Sequence, residues 1–197
     1  MKLEQQKAEF SQFLPQKRLI YLRGYIMLVI GSLISLGSIV SPNVGILSTQ
    51  NGWLPVAAFV LLMTGVIEAF DAYISRNTPR FLINLQFAIL DTVVALVMVF
   101  SLGYSVNRLS ILIAVFLMVK GLFRLISAYA GAFINAQSTL IGGAVSLVLG
   151  LIIWGQWPAE PAVAFLSFCL SAEIALRGWA LIQFAKYLSG LDGLLSE

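Results

Sequence analysis

Residues 109–131 read LSILIAVFLMVKGLFRLISAYAG. A run of this length and composition crosses a bilayer, for which about 20 apolar residues suffice. It nevertheless carries Lys120 and Arg124 in its interior. An ionisable side chain at the centre of a membrane costs roughly 2.5–3.5 kcal/mol on insertion scales, so such groups face protein and pair with opposite charge. A cationic membrane helix therefore implies neighbouring membrane helices that carry carboxylates.

Apolar runs of similar length flank it at 19–41, 53–75, 81–102, 138–157 and 161–187. The breaks between runs are Ser41-Pro42-Asn43, Asn77-Thr78-Pro79, Gly103-Tyr104-Ser105, Asn135-Ala136-Gln137 and Trp157-Pro158-Ala159, all rich in turn formers. The reading is an all-α polytopic membrane protein of six transmembrane helices. Short connections make consecutive helices antiparallel neighbours, so three helical hairpins are expected. Residues 1–18 form a cytoplasmic N-terminal segment, 19–187 the six-helix transmembrane domain and 188–197 a cytoplasmic C-terminal tail.

Composition agrees. Of 197 residues, 59% are hydrophobic and 11% charged, against about 25% charged in soluble domains. The net charge of +3 comes from basic residues at helix ends, which points to membrane topology and not to nucleic acid. Lys2, Lys7, Lys17, Arg18, Arg76, Arg80 and Lys186 fall on one side, and only Arg108 on the other. By the positive-inside rule both termini are cytoplasmic. The first apolar run is too long for a cleaved signal and reads as a retained span. Trp53, Trp154 and Trp157 sit where an outer aromatic belt belongs.

The spans repeat. Gly24 and Gly31 are seven apart, with Pro42 after the helix; Gly143 and Gly150 are also seven apart, followed by Pro158. Seven residues is close to two turns, so each pair shares a face and lets another helix approach closely. In the middle copy Asn84 and Asp91 take the matching places. Among the second helices, Gly65-Val66-Ile67-Glu68 matches Gly121-Leu122-Phe123-Arg124, with Ser171-Ala172-Glu173-Ile174 as the nearest third copy. This pattern resembles the HdeD family of bacterial inner-membrane proteins, a domain of unknown function, over residues 19 to about 187. The resemblance implies a stress-related membrane role of the acid-resistance type.

Eight charges lie inside the apolar runs: Arg23, Glu68, Asp71, Asp91, Lys120, Arg124, Glu173 and Arg177. At about 1.5 Å rise per residue they fall in one slab between mid-membrane and the cytoplasmic leaflet. Glu68 and Asp71 share a face, as do Lys120 and Arg124. Glu173 and Arg177, four apart with the acid first, are placed to pair within their own helix. Lys120 and Arg124 are expected to bridge to Asp91 and to Glu68 or Asp71, closing a neutral polar layer.

The chain has no histidine and one cysteine, which removes the commonest metal ligand and any internal disulfide. No nucleotide loop, metal cluster or nucleophile elbow is present, and Gly142-Gly143 lies in an apolar helix as a packing feature. No enzyme activity and no cofactor are expected. The surrounding partner is the lipid bilayer, with self-association open and any solute unknown. The preferred reading is a stress-type membrane protein with a buried ion-paired layer. A small proton- or solute-conducting transporter or channel is one alternative, and a membrane assembly or regulatory subunit the other.

Overall fold

The computed structural model describes residues 17–42, 44, 52–74, 81–102, 105–129, 136–159 and 161–195. The N-terminal segment up to residue 16, the 76–80 loop with Arg76 and Arg80, and the side chain of Asn84 lie outside the described residues. Within them the chain is all-helical: α1 Lys17–Val40, α2 Leu54–Ile74, α3 Phe81–Ser101, α4 Val106–Tyr129, α5 Ala136–Gln156 and α6 Val163–Leu195. The last helix runs past the expected break at 187 and includes much of the anticipated tail.

Five of these helices are long and apolar enough to cross a membrane; the described side chains of α3 give a shorter apolar run, Leu85–Ser101. Their outward faces are apolar too. Leu19, Leu33, Leu36, Phe59, Phe70, Val93, Phe100 and Ile126 are all more than half exposed. So large an exposed apolar surface is a liability in water and the normal condition in lipid. This is a membrane protein.

The helices do not pack in the hairpins that chain order suggests. The intimate pairs are α1 with α6, α2 with α3 and α4 with α5, whereas α1–α2, α3–α4 and α5–α6 meet only sparsely. Small residues, not loop length, decide this, because backbones can touch only where no side chain intervenes. A Cβ on Gly31 would lie 2.6 Å from the Ala175 nitrogen, and one on Gly24 2.9 Å from the Gly178 carbonyl. A Cβ on Gly121 would lie 2.7 Å from the Gly143 carbonyl, and one on Gly150 2.9 Å from that of Ala114. In the third pair Gly65 lies against Asp91 and Thr92, where a Cβ would come within 2.8 Å of the Thr92 nitrogen.

The three pairs share one register, which corrects two of the expected matches. Gly121 meets Gly143 and Leu147, Gly178 meets Gly24 and Leu28, and Gly65 meets Thr92. The counterparts of Gly24 and Gly31 in the middle copy are therefore Ala88 and Ala95, both fully buried, and not Asn84 and Asp91. The counterpart of Gly65 and Gly121 on α6 is Gly178, not the Ser171 segment. Steps of 56 and 57 residues then superimpose buried positions throughout: Ala58, Ala114 and Ser171; Leu61, Leu117 and Ile174; Ala72, Ala128 and Ala185.

Along the bundle axis the interior divides in two. The first halves of α2, α4 and α6 contribute Leu54, Ala57, Leu61, Leu109, Ile113, Leu117, Leu166, Leu170 and Ile174 to one apolar core. The charges follow at the inner end of that core: Glu68 and Asp71 on α2, Lys120 and Arg124 on α4, and Glu173 and Arg177 on α6. At the apolar end Trp53 lies against Gly37 and donates its indole N–H to the Ser41 carbonyl at 3.0 Å, tying the end of α1 to the start of α2. Trp154 and Trp157 are about half exposed at the same end, as suits belt residues.

Candidate functional site: a charge network across six helices

The eight charged residues interior to the apolar runs come together. They form one chain of alternating sign: Asp71, Arg23, Glu68, Arg177, Asp91, Lys120, Glu173, Arg124. Four carboxylates and four cations leave it formally neutral. Arg23 of α1 donates to Asp71 of α2 and lies 3.5 Å from Glu68 of the same helix. Arg177 of α6 contacts both Glu68 and Asp91, the latter on α3. Lys120 of α4 sits between two carboxylates, 2.9 Å from Asp91 Oδ1 and 3.0 Å from Glu173 Oε1. Arg124 grips Glu173 with both terminal nitrogens, at 2.7 and 3.2 Å. The Ser146 hydroxyl donates to the same carboxylate, bringing in α5.

Burial is graded along the chain. Asp91, Lys120 and Glu173 are fully enclosed, Arg177 and Arg124 nearly so, and Asp71 is 57% exposed. The Lys120 ammonium also lies 5.0 Å from the centre of the Phe116 ring, one turn back on α4, so an aromatic face supplements its two carboxylates.

Two expected pairings are corrected. Glu173 and Arg177 do not pair with each other; they take partners on other helices. Arg124 does not reach Glu68 or Asp71; it takes Glu173. The Lys120–Asp91 pairing is as expected. The reason is the helix pairing: α6 stands between α4 and α2, so its acid faces the cations of α4 and its cation faces the carboxylates of α2 and α3. Ser146 gave no signal in the sequence, because serine in a membrane helix ordinarily donates to its own backbone. Here the Gly142 carbonyl, 2.8 Å from the hydroxyl, competes with Glu173 for its single proton.

The network and the glycines divide the work of assembly. Within each intimate pair the contact is small residue on backbone. Every ion pair of the network joins helices from different pairs. Arg177 and Arg23 bolt α6·α1 to α2·α3, Glu173 with its three partners bolts α6·α1 to α4·α5, and Lys120 with Asp91 bolts α2·α3 to α4·α5. Magnitudes show what such bolts do. Two unit charges about 3 Å apart attract by roughly 5 kcal/mol at an effective dielectric near 20, while desolvation costs several kcal/mol per ion. The net contribution to stability is small, and the network acts chiefly by fixing geometry.

A family model described as a short repeat of unknown function, DUF308, matches residues 88–154. The match runs from Ala88 to Trp154 and so includes Asp91, Lys120, Arg124 and Ser146. No curated protein and no solved structure matches the chain.

Proposed function

We propose that this chain is a six-span bacterial inner-membrane protein of the HdeD kind, built from three copies of a two-helix repeat with both termini cytoplasmic. In this reading it protects the cell under acid stress and performs no enzymatic chemistry. The observation that carries it is the continuous alternating network in the membrane interior. Each carboxylate there balances a cation on another helix pair, so protonating any one removes a tie between pairs and leaves the formally neutral network with one excess positive charge. Acid entering the cytoplasm therefore acts directly on how the three pairs are held together. The resemblance of the glycine and proline pattern to that family supplies the physiological setting.

A proton-conducting path is the competing reading, and the graded burial from Asp71 inward favours it. The order of the groups argues against it. Asp71, Glu68 and Asp91 are separated from one another by Arg23 and Arg177, and a guanidinium keeps its proton in proteins. In the order of ion pairs along that stretch, a guanidinium interrupts each step from one carboxylate to the next.

Acid challenge of bacteria expressing the chain tests the proposal. Wild type is expected to raise survival over an empty vector, and Asp91→Asn/Glu173→Gln to return it to vector level at equal membrane abundance. Equal survival with and without the chain would refute the protective role. Proton flux in proteoliposomes above that of protein-free vesicles would favour the conducting path instead. A C-terminal alkaline phosphatase fusion is expected to be inactive, as a cytoplasmic end requires.

A further inference from the structure

The three seams between helix pairs are unequally held. Where α6·α1 meets α2·α3, two arginines engage three carboxylates: Arg177 with Glu68 and Asp91, Arg23 with Glu68 and Asp71. Where α6·α1 meets α4·α5, Glu173 holds Lys120, Arg124 and Ser146. Where α2·α3 meets α4·α5, the network crosses once, from Asp91 to Lys120.

That seam is also the most sparsely packed of the three. A furrow of about 340 Å³ opens along it, lined by Leu85, Gln86, Ile89, Leu90 and Phe123. Leu90 directly precedes Asp91, and Phe123 lies three residues beyond Lys120. The single ionic bolt is thus carried by the same stretches of α3 and α4 that line the furrow.

We infer that the α3/α4 seam is a lateral gate, closed by the Asp91 carboxylate on the Lys120 ammonium and released when that carboxylate is neutralised. The groups facing Asp91 set the direction. Lys120 and, behind it, Arg124 face it from α4. Arg177 and Glu173 face it from α6, Glu68 from α2 lies across Arg177, and Arg23 of α1 lies beyond Glu68. Neutral Asp91 leaves Lys120 to Glu173 and Arg177 to Glu68, both of which lie off this seam. The cations are thus still partnered on the α6 side, while nothing ionic in the network spans α3 to α4. The glycine contacts inside each pair carry no charge and do not change. The motion is a separation of two intact pairs, widening the furrow toward lipid.

The gate shares with the proposed function only the premise that acid discharges the network, and its test reads distances and not survival. Spin labels at Ile89 and Leu122, both about half exposed, span the seam. Labels at Ile126 and Ile141, also about half exposed, report on the α4·α5 pair. Both sets are placed in a Cys169→Ala background in lipid nanodiscs. Asp91→Asn at neutral pH is expected to lengthen and broaden the Ile89–Leu122 distance and leave the Ile126–Ile141 distance unchanged. The double variant Asp91→Asn/Lys120→Met also lacks the bolt and is expected to show the same lengthened seam distance; a return to the wild-type distance would mean that an unbalanced Lys120, and not the missing pair, opens the seam, and would overturn the gate. Acidifying the wild type is expected to reproduce the Asp91→Asn result. An unchanged seam distance in Asp91→Asn would overturn the gate, as would a change of both distances together, which marks general loosening. If Asp91→Asn does not assemble, the acid step on wild type decides alone, and an unchanged distance there overturns the gate.

Discussion

Lys120 is the residue on which the network turns. Among the described residues it is the one cation that serves two fully enclosed carboxylates, with the face of the Phe116 ring besides. Removing one member of a buried pair costs about 3–5 kcal/mol, because the partner stays buried and unbalanced. Arg177 and Arg124 remain to cover Asp91 and Glu173, so Lys120→Met is expected at the lower end, about 3 kcal/mol. Asp71, at the open end of the chain, behaves as a surface ion and Asp71→Asn should cost under about 1 kcal/mol. Unfolding of both variants in detergent against wild type measures the contrast; equal costs would show that burial does not grade the network. Which residues join was legible in the sequence, since eight charges in apolar runs have nowhere else to go. Who pairs with whom was not. Spacing along α6 puts Glu173 and Arg177 on one face, and a face does not name the helix opposite it.

At the scale of elements, helix positions followed from apolar runs and turn residues, with α6 running on because Gly190 and Gly193 do not by themselves stop a helix. Neighbour choice was legible only in part. Gly24, Gly31, Gly143 and Gly150 were readable as contact faces, but their partners were not: Gly121 and Ala114 lie on the preceding helix, across the expected hairpin boundary, and Gly178 lies on the last helix, which no short loop joins to α1. Ala88 and Ala95 were hidden because alanine is unremarkable, and the conspicuous Asp91 drew the middle copy out of register. The contact geometry makes a sharp comparison. Gly31 has the Ala175 nitrogen 2.6 Å and the Ser171 carbonyl 2.8 Å from its would-be Cβ, whereas Gly155 has nothing within 4 Å. Backbone cannot step aside as a side chain can, so Gly31→Ala is expected to destabilise by at least about 1–3 kcal/mol. Gly155→Ala should be neutral or slightly favourable, since alanine is the better helix former. Thermal stability in detergent checks both, and a tolerated Gly31→Ala would show that α1 and α6 do not approach as closely as described.

For the whole molecule, the out-of-phase pairing means that chain order and packing order are offset by one helix. The α1·α6 pair closes the bundle by joining its first helix to its last, so each end of the chain is held by the other. A cut in the α3–α4 connection leaves α2·α3 and α4·α5 intact and severs only the most sparsely packed seam. The two pieces, 1–103 and 104–197, keep a glycine-lined contact between α1 and α6, joined by the Ser35–Ser171 hydroxyl bond at 2.8 Å and by the ion pairs of Arg177 with Glu68 and Asp91. Coexpressed, they are expected to copurify. A second cut, in the α4–α5 connection, separates helices whose backbones touch at Gly121 and Gly143, yet α1·α6 remains to bridge those pieces as well. Gly31→Leu separates the mechanisms: its bulk would fall on the Ala175 backbone and should abolish copurification of the 1–103 and 104–197 pieces. It leaves α4·α5 untouched, so the pieces of the second cut should still associate through that pair. If Gly31→Leu leaves the first association intact, closure rests on the charges alone, and the division between glycine-packed pairs and ionic seams fails.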